Sequence, residues 1–298
     1  MIRRHIAVLA SALVSFLAAD AASAQGRTEF AQSAPSPLLG RPIPYAVYIP
    51  AQAPEPGERW PVLYLLHGWS GRDGDWFTWG NLSTILDRMT ESGAIPPMLV
   101  VAPGAGDSWY VDNPDPGGLG RIEAAITSDL IEAIDKRFPT AACRDGRAIG
   151  GVSMGGYGAI LLALRHPDLF RAAIGLSSAI ADPMRPGDPR LQASFVQDLY
   201  KGAYGDPIDP DRFNANNLFR VAEAEPAGPV RPEFWLAIGK GDYPELISAG
   251  RRLAAVLKRR GFVVEQRGGE GRHFWDYWQK EIEPALLWLA PKLSRQCA

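Results

Sequence analysis

The sequence predicts an α/β fold: a mainly parallel central sheet with helices on both faces. Two observations predict it. Short apolar runs recur at Tyr45–Ile49, Val62–Leu66, Met98–Ala102, Arg147–Gly150, Ala172–Leu176, Phe234–Ile238 and Phe262–Gln266. Most are too apolar to be half-exposed strands, as a sheet covered on both sides requires. Between them lie segments of helical period, such as Ile122, Ile126, Leu130 and Ile134 at i, i+4 spacing and another built on Leu253, Val256 and Leu257. Strands alternating with helices imply βαβ units. The 298 residues suffice for one large domain, and the 46% apolar and 21% charged composition excludes a disordered or collagen-like chain. With 31 basic against 33 acidic residues, the net charge of −2 offers no basic field, so nucleic acid is not an expected partner.

Taken in order, residues 1–24 read as a signal peptide. Arg3 and Arg4 precede an apolar run from Ile6 to Ala19, and Ala22-Ser23-Ala24 stands before Gln25. That 14-residue run covers about 21 Å of a hydrocarbon core about 30 Å thick, too little for a span. The mature protein is therefore expected in a periplasm or outside the cell, with no membrane span after cleavage. Residues 25–44 are polar and Pro-punctuated and read as an N-terminal arm; residues 45–298 read as a single domain. Within it, residues 181–232 are rich in Pro, Asp and Asn and read as a short insertion over the carboxyl edge of the sheet, where open α/β sheets bind ligands. Cys143 and Cys297 are the only cysteines, too few for a zinc or iron–sulfur ligand set. In an oxidising compartment they either pair, tying the tail to the loop that holds Cys143, or stay as two thiols.

Gly151-Val152-Ser153-Met154-Gly155 closes one apolar run and opens a helical one. This is the setting of a nucleophile elbow, whose sharp turn needs small residues around the serine and whose helix aims its amides at developing negative charge. Ser153 then needs a base, and histidine serves near neutral pH. His5 leaves with the signal peptide, and His166 falls at the end of the helix behind the elbow. His67 directly follows Val62–Leu66, a place suited to shaping a loop. His273 remains, in a glycine-rich loop between the last strand and the final helix, and is the expected base. Asp242, just past Trp235–Gly241, is the expected acid, with Glu245 and Glu270 as alternatives. The order Ser153, Asp242, His273 is that of the α/β-hydrolase fold. The backbone N–H groups of Met154 and Trp69 are the expected oxyanion donors.

With Leu66-His67-Gly68, Asp107-Ser108-Trp109-Tyr110, Gly151–Gly156, Gly239-Lys240-Gly241-Asp242 and Gly271-Arg272-His273-Phe274-Trp275 in view, the chain resembles a family of α/β-hydrolase esterases. That family includes esterase D, S-formylglutathione hydrolase, feruloyl and acetyl-xylan esterases and the mycolyltransferases. The likeness spans about residues 40–292. It implies Ser153 as nucleophile, Asp242 as acid, His273 as base and the amides of Trp69 and Met154 as oxyanion donors. Mycolyltransferases place an Asp and an Arg around the first oxyanion loop, where this chain has His67 and Ser70. S-formylglutathione hydrolases act in the cytosol, against which the signal peptide argues. The reading is an exported serine carboxylic-ester hydrolase, with acyl or feruloyl esters of sugars as substrates. His67, Gly68, Trp109 and Tyr110 are placed to meet substrate, and Trp69, Trp76, Trp79, Trp109 and Tyr110 would give an aromatic cleft. No cofactor and no metal are expected, since neither a phosphate-binding loop nor a dinucleotide fingerprint is present. An acyltransferase would use the same triad with a hydroxyl acceptor in place of water; a binding protein on a dead scaffold would have lost triad members.

Overall fold

A computed structural model describes residues 25–224 and 228–297. The expected signal peptide, residues 1–24, lies outside the described residues. Among these described residues ten strands form in chain order: β1 Arg27–Ala34, β2 Ile43–Ile49, β3 Val62–Leu66, β4 Leu99–Pro103, β5 Asp112–Asn113, β6 Gly120–Arg121, β7 Arg147–Val152, β8 Ala172–Leu176, β9 Glu233–Gly239 and β10 Val264–Gly269. Eight make one sheet in the order β1-β2-β4-β3-β7-β8-β9-β10, and β5 and β6 pair by themselves. From β4 to β10 the sheet is parallel; β1 and β2 run antiparallel at its edge. Side chains alternate between two cores: Val62, Tyr64 and Leu66 of β3 enter one, Leu63 and Leu65 the other. Burial on both faces is why these strands read as unbroken apolar runs.

On the face of β3 that carries Tyr64 lie α5 Met154–Arg165 and α9 Pro244–Arg259, together with the chain from α3 Ile122–Ala124 through a π-helical stretch at Ala125–Leu130 to α4 Ile131–Arg137. On the other face lie α1 Asp75–Thr78, α2 Leu82–Glu91 and α10 Trp275–Leu289. Helix α5 is buried from Met154 to Leu164, so it is apolar all round rather than on one stripe. The described residues of 181–232 carry a 3-10 turn at Pro189–Gln192 and three α-helices, α6 Ser194–Tyr204, α7 Pro210–Ala215 and α8 Leu218–Ala224.

One expectation is corrected. The segment read as an arm is the edge strand β1, paired with β2 from Arg27↔Ile49 to Ala34↔Ile43. Its register shifts between Glu29 and Gln32, where Ala31 has φ 53°. That irregularity breaks the period-2 pattern, and the outward face of an edge strand is polar, so the sequence carries no strand signal there. Cys143 and Cys297 form a disulfide with a Cα–Cα distance of 5.9 Å. Together with Ser294 N–H donating to Asp145 O (2.7 Å), it holds the tail near the amino end of β7, opposite the strand ends that carry the site.

Candidate active site

Three loops at the carboxyl ends of β7, β9 and β10 bring Ser153, Asp242 and His273 together. Ser153 sits between β7 and α5 with φ 54° and ψ −118°, outside the regions a side chain favours. Its N–H donates to Leu176 O at 2.9 Å, and its carbonyl accepts from Ala179 N–H at 2.9 Å, so the end of β8 holds the turn. The two motif glycines are steric necessities. A Cβ at Gly151 would lie 2.3 Å from the Gly155 backbone, and one at Gly155 would lie 2.3 Å from Leu66 O. Helix α5 thus starts pressed against the end of β3.

His273 Nε2 lies 2.9 Å from Ser153 Oγ, and His273 Nδ1 lies 2.9 Å from Asp242 Oδ1. With the carboxylate accepting at Nδ1, the neutral ring carries its proton there, and Nε2 is free to accept from the serine hydroxyl. Asp242 Oδ1 also accepts from Tyr243 N–H at 2.7 Å. Burial pushes the Asp242 carboxyl up, but the His273 hydrogen bond, the attraction of that ring when it is protonated and the Tyr243 amide outweigh it and hold the group below the ordinary carboxylate range. Of the alternative acids, Glu270 is exposed and paired with Lys240 Nζ at 2.6 Å, and Glu245 lines the cleft without bonding His273.

Gly68 abuts Ser153, for a Cβ there would lie 3.5 Å from Ser153 Cβ. The loop that follows carries Trp69 and is fixed by Ser70 N–H donating to Asp107 Oδ1 at 2.6 Å. Ser153 and His273 open on a cleft of about 1160 Å³, lined in part by Trp69, Trp79, Trp109, Phe274, Trp275 and Trp278. Its far wall comes from the 181–232 segment, through Phe195, Val196 and Leu199, and from Leu246, Ala249 and Arg252 of α9. Arg252 is bonded to Asp182 at 2.6 Å, joining α9 to that segment.

His67 and Tyr110, expected to meet substrate, do not line the cleft, and this is a correction. His67 is 1% exposed: Nδ1 donates to Gly68 O at 2.7 Å and Nε2 accepts from Ala105 N–H at 3.1 Å. Burial lowers its pKa and keeps the ring neutral for that acceptor role. Tyr110 is fully buried and donates from its hydroxyl to His67 O at 2.9 Å. Both brace the loop that bears Trp69. Trp76 is likewise buried, its Nε1–H donating to Leu66 O at 3.1 Å. Gly68 and Trp109 do line the cleft. His166 caps α5 and bonds Glu123 at 3.0 Å, away from the triad. Sequence reasoning left Asp107, Ser177 and the α9 wall without roles; a signal existed only for Asp107, which stands beside Trp109.

Among the described residues, seven non-glycine residues have positive φ, and five of them surround this site: Ser70, Trp109, Tyr110, Ser153 and Ser177. Among the described residues, no group of three His, Cys, Asp or Glu side chains could hold a metal ion, and no helix is long and apolar enough to cross a membrane.

A mainly parallel sheet with a serine at a strand–turn–helix elbow, an acid after a later strand and a histidine after the last defines the α/β-hydrolase class. Comparison with known proteins narrows it. A family model described as "Putative esterase" matches residues 36–289, and the chain belongs to that family. The chain is 30% identical over 234 residues to an acetyl esterase of Caldicellulosiruptor saccharolyticus, spanning 77% of this chain and 83% of that one. It is 29% identical over 309 residues to the diacylglycerol acyltransferase/mycolyltransferase Ag85A of Mycobacterium leprae, spanning 92% of this chain and 87% of that one. A solved ferulic acid esterase shares the fold, with TM-score 0.68 and 24% identity over 90% of this chain and 98% of that one. The protein is a carboxylic-ester hydrolase.

Proposed function

We propose that this esterase works through an acyl-enzyme on Ser153, with His273 as base, Asp242 as its partner, and acyl or feruloyl esters of sugars as substrates. The observation that carries the reading is the hydrogen-bonded chain from Ser153 Oγ through His273 to Asp242 at the wall of the cleft. His273 Nε2 takes the Ser153 proton as Oγ attacks the ester carbonyl. The oxyanion forms against the N–H groups of Met154, at the start of α5, and Trp69, in the loop beside Ser153. Each such donor contributes about 2.7–4 kcal/mol to the transition state. The imidazolium, stabilised by the Asp242 carboxylate, gives its proton to the leaving alcohol oxygen, and the C–O bond breaks. Water then attacks the acyl carbonyl as His273 takes its proton, the bond from the acyl carbon to Ser153 Oγ breaks, and His273 returns the proton to Oγ as the acid leaves.

The alcohol must leave past His273, because that ring protonates it. The aromatic groups beside His273 there, Phe274 and Tyr243, are 63% and 56% exposed, as is Trp79 at 63%. Such half-wet aromatic surface suits a sugar ring or an aryl group. The acetyl and ferulic acid esterases among the similar proteins support the same substrate class. Export is supported by the leader pattern of residues 1–24 and by the Cys143–Cys297 bond, which persists in oxidising compartments. The similarity to a diacylglycerol acyltransferase/mycolyltransferase favours a second reading, transfer to a hydroxyl acceptor. Product analysis with an added sugar acceptor separates the two.

The test is initial rates on p-nitrophenyl acetate, butyrate and octanoate and on methyl ferulate, comparing wild type with Ser153→Ala. Loss of a triad serine lowers kcat by on the order of 10⁶. Undiminished turnover by the variant would refute the mechanism. Methyl ferulate turned over no faster than the simple acetate would remove the aryl-ester preference.

A further inference from the structure

Asp242 raises a question that the triad leaves open. Its side chain has no exposed surface, and while Oδ1 accepts from His273 and Tyr243, Oδ2 is buried without a partner of good geometry. A buried carboxylate oxygen without a donor is destabilising, more so than a neutral group. Near this carboxyl stands Ser177, fully buried at the end of β8, held at φ 47° with its N–H donating to Ala237 O at 2.7 Å. Ser177 Oγ accepts from Trp278 Nε1–H at 3.0 Å, which leaves its own proton free to point elsewhere. The indole of Trp278 also stands edge-on to the His273 ring, 5.2 Å between centroids at 83°, and Tyr243 flanks the same ring at 5.2 Å.

From this arrangement we infer that Ser177 and Trp278 are positioning residues of the catalytic machinery. Trp278 Nε1–H orients the Ser177 hydroxyl, Ser177 Oγ–H donates to Asp242 Oδ2, and the carboxylate is thereby fixed against His273 Nδ1. The contacts close into a ring, Trp278 to Ser177 to Asp242 to His273 and back to Trp278. Each of its members comes from a different strand end or helix, so the ring locks the tops of β8, β9 and β10 to α10. The left-handed backbone of Ser177 fits the role, since strain of this kind persists where the surroundings over-determine a position. No proton is transferred through Ser177; it acts only by holding the acid.

The inference rests on the proposed triad, and the experiment separates the two. Ser177→Ala and Trp278→Phe are each made in the wild type and in an Asp242→Asn background. Active sites are counted by the p-nitrophenol burst, so that misfolded protein does not enter kcat. A hydrogen bond to a charged group is worth about 10- to 100-fold. Ser177→Ala is therefore expected to lower kcat by that factor with KM within twofold, and Trp278→Phe to lower it by less. Combining the two is expected to add little to Ser177→Ala alone, because both act on one carboxylate. In the Asp242→Asn background Ser177→Ala is expected to change kcat by less than twofold. An unchanged kcat for Ser177→Ala, or an equal loss in both backgrounds, would overturn the inference. Full activity of Ser153→Ala would instead overturn the triad.

Discussion

Gly155→Ala probes how the elbow and the oxyanion loop are held together. The new methyl group would lie 2.3 Å from Leu66 O and 2.6 Å from His67 O, where ordinary contact begins at 3.4 Å, so the start of α5 and the end of β3 must part by about 1 Å. Both sides of the clash are backbone, and no rotamer change relieves it. Leu66 O also accepts from Trp76 Nε1, so the displacement reaches the second core. The two proposed oxyanion donors lie on opposite sides of this seam, Met154 on α5 and Trp69 beyond β3. Misplacing catalytic groups by about 1 Å costs roughly 10²-fold in rate, and overpacking of this kind costs about 1–3 kcal/mol of stability. Burst-corrected kcat on p-nitrophenyl butyrate together with urea unfolding reads both effects. A variant within twofold of wild type in kcat and unchanged in midpoint would refute the reasoning. Gly68→Ala is the steric contrast, since its nearest neighbour would be Ser153 Cβ at 3.5 Å, and its unfolding midpoint should hold.

Three further outcomes are expected. Replacing Cys143 and Cys297 together by Ala should leave kcat unchanged, because the bond lies at the other end of the sheet, while lowering stability. Chain-entropy arguments for its 154-residue separation set an upper figure of about 5 kcal/mol, checked by thermal and urea unfolding. Gly250→Ala in α9 meets nothing within 4 Å and should raise the unfolding free energy by about 0.5–1 kcal/mol; a loss would contradict the helical setting. Glu281 has its pKa raised by burial, against the opposing pull of Arg267. An acid of that kind binds its proton more tightly folded than unfolded, so stability falls as pH rises from the unfolded value of about 4.3 through the folded one. Glu281→Gln should therefore gain stability near neutral pH and lose that gain in acid, and an advantage growing toward low pH would reverse the sign.

The parts of the fold most legible in the sequence were those with two buried faces. Val62–Leu66 and Ala172–Leu176 begin and end where the apolar runs do, because both sides of those strands meet core. β1 was illegible because only one side of it does. At the site, Ser153, Asp242 and His273 could be picked out because each follows a strand and bears a side chain with a distinct chemistry. His67 and Tyr110 also stand among residues that follow strands, yet they face inward, and a sequence does not state which way a loop turns. The far wall of the cleft was hidden for a related reason. Leu246, Ala249 and Arg252 lie on a helix whose periodicity reports the core below it, while the α6 residues that line the cleft with them come from a distant part of the chain and join the same wall only through tertiary packing.

The cluster of positive-φ residues around Ser153 has an implication for how this enzyme could change. Ser70, Trp109, Tyr110, Ser153 and Ser177 each hold a conformation that a side chain resists, whereas away from this site only Ala31 and Asn81 do so among the described non-glycine residues. Relief of that strain by glycine is open only at Ser70 and Ser153, where it would ease the backbone while loosening the geometry on which the proposed turnover depends. Trp109 and Tyr110 are core side chains and the Ser177 hydroxyl is bonded to Trp278, so their loss would cost more than the strain relieved. Selection for robustness alone would erode the site first, and selection for rate would keep it tense. A screen that scores melting temperature without scoring ester cleavage should collect its substitutions at this rim.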